Sequence, residues 1–144
     1  MTTDDNAHAE LHALLENWVS AVRALDVPGI TAHYSRDILA FDAVKQLQFK
    51  GVDAYARHWS ECLQMCTQHT FDMHQLSFES SGDIAFGHYL AYCGGTDQDG
   101  VQNASWVRVT VGLRREQGQW KIAHEHYSIP FDPLTGQLLF DARP

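Results

Sequence analysis

The spacing of apolar residues changes once along this chain, near residue 70, and that change constrains the fold more than any single motif. Before it, Leu11, Leu14, Leu15, Trp18, Val19, Val22 and Leu25 recur at steps of three and four, which places them on one stripe of a long helix. After it the period is two. Alternating runs cover about 70–80, 83–94, 103–116 and 119–129. They are broken at Ser80-Ser81-Gly82-Asp83, from Gly94-Gly95 to Asp99-Gly100, and at Gln117-Gly118. Each break is short enough for antiparallel neighbours. Helices segregated ahead of a strand meander predict an α+β domain, with three N-terminal helices on one face of a strongly curved antiparallel sheet. Such a sheet leaves a concavity, a natural ligand site.

The segments between these two regimes are shorter. Asp4, Asp5 and Asn6 offer an N-cap for the first helix. Asp26 can cap a second helix with Pro28 in its first turn; it carries Ile30, His33 and Tyr34 and is expected to end near Asp37. Ile38 to Val44 reads as a short strand, with Gln46 to Phe49 as its partner. Gly51 then opens a third helix whose inward stripe is Val52, Tyr55, Trp59, Cys62, Leu63 and Cys66. Beyond Ile129, Pro130, Asp132-Pro133 and Thr135-Gly136 punctuate a tail expected to be irregular and packed by Leu138, Leu139 and Phe140. No repeat or linker divides the chain, so residues 1–144 read as one domain.

Composition excludes several function classes. A net charge of −8, with ten scattered basic residues of which only Arg114 and Arg115 adjoin, argues against nucleic acid. The segment Met1 to Asn6 has no signal-peptide pattern, and no apolar run nears the ~18 residues of a membrane span. A cytoplasmic protein with no membrane partner is expected. Three cysteines without zinc spacing read as small apolar thiols in a reducing compartment.

Two segments suggest chemistry. In Trp120-Lys-Ile-Ala-His124-Glu-His126-Tyr-Ser128, strand periodicity places Trp120, Ile122, His124, His126 and Ser128 in one row. That row runs from core to polar, as a strand entering a pocket would. Two imidazoles and a hydroxyl there could bind an anion, shuttle a proton or hold a metal; equally, they could be structural. Beside them, Trp106, Arg108 and Thr110 oppose Val107, Val109, Val111 and Leu113. Arg108 reaches solvent, pairs with a carboxylate such as Asp42 or Glu125, or faces a ligand. A two-residue Gln117-Gly118 loop sets it opposite Tyr127; a three-residue loop sets it opposite His126. The other oddity is Asp42, in the apolar run Ile38 to Val44. Walls of Phe41, Phe49, Tyr55 or Trp59 would disfavour its charged form and suit it to act as a base; a surface-facing Asp42 is the alternative. His88, Tyr89 and Tyr92 belong to the pocket or its rim, while His58 and His69 read as surface.

These residues carry a resemblance. Asp26-x-x-x-Ile30-x-x-x-Tyr34-x-x-Asp37, Phe41-Asp42 and Lys50-Gly51, with Arg108-x-Thr110, Trp120, His124-x-His126-x-Ser128-x-Pro130-Phe131-Asp132 and Thr135-Gly136, resemble the NTF2-like superfamily. The likeness is to its SnoaL-like branch, related to the ketosteroid isomerases. It implies a cone of curved sheet and helices, a pocket inside, and a homodimer across the sheet's outer face. Asp42 falls where the isomerases carry their proton-abstracting carboxylate. Trp18 stands in place of their oxyanion-donating tyrosine, and Val109 or Thr110 in place of their second acid.

The resemblance and the residues together imply a cofactor-independent isomerase, lyase or cyclase. Its substrate would be a small hydrophobic molecule with a carbonyl or carboxylate. Asp42 would be the general base, with His126 and Arg108 stabilising the oxyanion. The pocket would comprise Trp18, Tyr34, Tyr55, Trp59, Trp106, Thr110, His124 and Ser128. A non-catalytic ligand-binding or association module is the main alternative. A metal held by His124 and His126 is a third reading and lacks an evident third ligand.

Overall fold

The computed structural model describes residues 3–144, with side chains from residue 5 onward. Helix α1 (Thr3–Arg23) forms because its stripe has a core to enter. Leu11, Leu15, Trp18 and Val22 are fully buried, and each such side chain contributes roughly 1.5–3 kcal/mol by leaving water. Asp4, Asp5 and Asn6 lie inside this helix and not ahead of it; any cap before Thr3 falls outside the described residues. A left-handed turn at Leu25 (φ 57°) ends the segment. Asp26 then caps α2 (Val27–Thr31) by accepting from the Gly29 amide at 3.1 Å. Glycine is needed there, because a Cβ would come within 2.4 Å of the capping carboxylate.

Helix α2 stops well short of Asp37. The His33 carbonyl accepts from the Ile122 amide at 2.8 Å, which draws the chain onto the sheet. Tyr34 therefore begins strand β1 (Tyr34–Phe41). Next come β2 (Phe49–Lys50), α3 (Val52–Gln64) and four long strands, β3 (Gln68–Ser81), β4 (Ile84–Thr96), β5 (Gln102–Glu116) and β6 (Gln119–Ser128). The spatial order is β2-β1-β6-β5-β4-β3. The meander is antiparallel as expected, but β1 pairs with β6 in parallel, so the sheet is mixed. A parallel pair needs a long crossover, and α3 with the four strands between β1 and β6 supplies it.

Bulges bend this sheet into a cone. One interrupts β3 between His74 and Ser77, with Gln75 at φ 59°. Another lies in β6, where Gly112 pairs with His124 but Leu113 with Ile122, leaving Ala123 unmatched, and β1 is irregular between Tyr34 and Leu39. Where β4 and β5 approach closely, a Cβ on Gly94 would lie 1.8 Å from the Asn103 carbonyl oxygen. Tyr89 and Ala91 of β4 and Val107, Val109, Val111 and Leu113 of β5 face the helices and form the core. The tail departs from expectation. Leu138, Leu139 and Phe140 stay largely exposed, because the tail turns back on itself through a single Phe131–Leu138 bridge and borders the sheet's outer face near Trp106. No described helix is long and apolar enough to cross a membrane.

Candidate functional site

At the open end of the cone a cavity of about 200 Å³ lies between α3, the end of β1 and the strands. Its walls include Asp42, Tyr55, His58, Trp59, Cys62, His69, Phe71, Cys93, Val107, Tyr127 and Ile129. Strand periodicity brings Asp42 there. Ile38 and Ala40 are buried inward-facing residues of β1, and Asp42 is the next residue in that phase. Its Oδ1 accepts from the Ala43 amide at 2.7 Å, which holds the carboxylate as the chain leaves the sheet.

Oδ2 of Asp42 accepts a hydrogen bond from His58 Nε2. His58 projects from α3, is 4% exposed, and has the Phe49 ring stacked on it at 4.1 Å between centroids. Burial by itself pushes the imidazole pKa down. The hydrogen bond to Asp42, helped by Cys62 and by the Asp42 charge, outweighs burial and lifts it from 6.5 to about 9. The ring therefore carries its proton at neutral pH, forming an imidazolium–carboxylate pair in the cavity wall. Cys62, one turn along α3, has its Sγ 3.8 Å from the ring nitrogens.

A second polar cluster sits behind the wall. Glu125 is fully buried. Its Oε2 accepts from the hydroxyls of Tyr55 at 2.7 Å and Tyr34 at 3.1 Å. Trp18 and Trp59 donate to the Tyr34 oxygen at 3.0 and 3.2 Å. Burial raises the Glu125 pKa to about 8, and the tyrosine hydrogen bonds only partly offset it. At neutral pH this side chain is mostly the neutral acid. Its Oε1 and the buried hydroxyls of Tyr89 and Tyr127 have no hydrogen-bond partner among the described residues.

The cavity gathers Asp42, Tyr55 and Trp59 from the residues singled out in the sequence. Trp18 and Tyr34 lie one layer behind, Trp18 edge-on to Trp59 and Tyr34 stacked on Tyr55. The others face away. The bulge at Ala123 reverses β6, so Trp120 and Ile122 point inward, and beyond it Glu125 and Tyr127 do. His124, His126 and Ser128 thereby join Trp106, Arg108 and Thr110 on the outer face. The β5–β6 turn has two residues, Gln117 and Gly118, yet the bulge shifts the register by one, and Arg108 sits opposite Ser128. It donates to Ser128 Oγ at 3.0 Å and meets neither Asp42 nor Glu125. His124 lies at hydrogen-bond distance from the Leu39 carbonyl, 2.6 Å. His126 packs edge-on against Phe41 and shares with Asp42 an open groove beside residues 43–48. Among the described residues, no group of three or more His, Cys, Asp or Glu could hold a metal ion.

Three contributors do not follow from the sequence reading. His58 and His69, read as surface, both line the cavity. Burial lowers the His69 pKa, so that ring is neutral. Glu125 is the third, and the sequence does carry a signal for it. The large apolar residues of β6 change parity, from positions 120 and 122 to 127 and 129, and one extra residue between them turns the intervening glutamate inward.

Residues 11–132 match the SnoaL-like domain family. The chain belongs to that family. The SnoaL-like domain has the NTF2-like fold. It is 45% identical to an NTF2-like protein of unknown function from Pseudomonas putida KT2440, over 99% of this chain and 100% of that one, with a TM-score of 0.91. A putative dehydratase from the NTF2-like family of Streptomyces avermitilis shares the fold at 13% identity, over 90% and 100% of the two chains, TM-score 0.80. A ketosteroid isomerase-like protein from Erwinia carotovora atroseptica does so at 20% identity, over 83% and 93%, TM-score 0.70. No curated protein matches this chain.

Proposed function

We propose that this SnoaL-like domain is an acid–base isomerase or lyase acting on a small, mainly apolar molecule with an enolisable carbonyl. The observation that carries the reading is the Asp42–His58 pair in the wall of a cavity whose other walls are mainly apolar and aromatic, among them Tyr55, Trp59, Phe71, Val107 and Ile129. Asp42 takes a proton from the carbon next to the carbonyl. His58, charged at neutral pH, gives its own proton to the substrate oxygen, or to a departing hydroxide, which leaves as water. The pair is then a neutral acid beside a neutral imidazole, already hydrogen-bonded. Transfer of the proton from Asp42 to His58 restores the starting state, and no external proton is consumed in a dehydration. His58 thus takes the role that the sequence reading gave to His126 and Arg108.

The test is a thermal-shift screen of enolisable ketones and β-hydroxy carbonyl compounds, run on the natural protein and Asp42→Asn in parallel. A ligand that stabilises both, with turnover only in the natural protein, supports the reading. Turnover retained by Asp42→Asn sinks it.

A second reading, an association module, is favoured by one observation. Ile84 and Phe86 on the sheet's outer face are 61% and 47% exposed, which suits a homodimer formed there. Sedimentation of Phe86→Glu alongside the natural protein tests it; an unchanged oligomeric state removes it.

A further inference from the structure

His58 borders two spaces. On one side is the apolar cavity; on the other is a surface groove of about 300 Å³ whose walls include Lys45, Gln48, Lys50, Arg57 and Glu61. Among the described residues, Lys45, Lys50 and Arg57 form no ion pair; Arg36 and Arg143 form none either, but they do not border this groove, and the other five cations are engaged. Arg23, Arg114 and Arg115 are matched to carboxylates, Lys121 donates to the Ala32 carbonyl and Arg108 to Ser128. Three unneutralised cations against one carboxylate, Glu61, repel one another. They persist in a chain with ten basic and 18 acidic residues, so the groove is a local exception to the net negative charge.

We infer that this groove holds the carboxylate of the substrate, so that the ligand is a small apolar carboxylic acid straddling His58. The inference rests on the cavity described under the proposed function. The apolar body enters among Trp59, Phe71 and Val107, and the anionic head lies among Lys45, Lys50 and Arg57. The carbons between the two then pass the Asp42–His58 pair, where proton transfer occurs. Size sets the body at about one substituted ring, since cavities of ~150 Å³ take up benzene and this one has about 200 Å³. The groove would also steer acids to the site, an effect that salt weakens.

Matched probes of one shape test this: trans-cinnamate and its uncharged amide, trans-cinnamamide, titrated calorimetrically at low and high salt. The acid is expected to bind about tenfold more tightly at low salt, the yield of two or three exposed charge pairs, with the gap narrowing as salt rises. Lys50→Gln/Arg57→Gln should erase the preference and leave amide binding unchanged, while Glu61→Gln should widen it. Equal binding of acid and amide, or a preference that survives the double substitution, overturns the proposal, as does failure of both probes at millimolar concentration. If the amide binds and the acid binds no better, the groove fails while the cavity reading stands. If the acid is preferred but Asp42→Asn keeps turnover, the acid–base reading fails and the groove stands.

Discussion

Two carboxylates enter the same cone and meet opposite fates. Asp42 stands at the open end, against the imidazole of His58 and beside solvent. Glu125 stands deeper, among the hydroxyls of Tyr34 and Tyr55, with no cation in hydrogen-bond reach. An adjacent cation makes a charged pair tolerable at the cavity wall. Phenols alone do not compensate a buried charge, and Glu125 keeps its proton to about pH 8. Chemistry needs the first arrangement; a sealed core tolerates the second because the acid there is neutral.

The contrast is sharpest in turnover. On any substrate the screen finds, Asp42→Asn should lower turnover by about 10²–10⁴-fold, the usual reach of a general base, while Glu125→Gln should leave it within about tenfold. Equal losses would mean that the two carboxylates work as one unit. Stability gives the next largest effect. Glu125→Ala leaves the hydroxyl protons of Tyr34 and Tyr55 without an acceptor beside a new cavity and should cost about 3 kcal/mol in urea unfolding. Glu125→Gln, whose amide oxygen can accept from both, should cost about 1 kcal/mol at neutral pH. A glutamine variant as unstable as the alanine one would show that the carboxylate is charged in the fold.

The pH dependence separates the two sites by window. For His58 the folded pKa of about 9 lies above the unfolded 6.5, so its stabilisation is complete below 6.5 and is lost as pH rises through 9. For Glu125 the folded value of about 8 lies above 4.5. Its protonated form stabilises the fold fully below 4.5, and that advantage is lost as pH rises through 8. Both act in the same direction, so the thermal midpoint should fall from mildly acidic to alkaline pH, with a loss on the order of a few kcal/mol. Glu125→Gln should flatten the lower part of the curve and His58→Gln the upper part. A flat curve in the natural protein would contradict both assignments.

The smallest effect belongs to the outer face. His126→Ala should change stability by no more than about 0.5 kcal/mol and leave turnover unchanged. A large loss of turnover would return His126 to the site through the groove beside residues 43–48.

Much of the architecture is legible in the chain. The helical stripe from Leu11 to Val22 and the four alternating runs lie within a few residues of the observed elements, because helix and strand periods are local. Asp42 is legible for the same reason, as the residue that continues the phase of Ile38 and Ala40. His58 was hidden. On α3 it looks like a polar residue between the apolar stripe positions Tyr55 and Trp59, and only the packing of that helix over Phe49 and the end of β1 gives it a carboxylate partner. The histidine row of β6 failed differently, because a single unmatched residue reverses every side chain after it.

By itself the sequence determined the order of the main elements, the aliphatic row of β5 opposite Arg108, and the presence of a carboxylate in an apolar strand. The tertiary structure decided which imidazole meets that carboxylate, which glutamate is sealed inside and which cations share a groove. Periodicity depends on neighbours a few residues away. Pairing across the cone depends on one bulge at Ala123 and on where α3 settles, and both are set by the packing of the whole core.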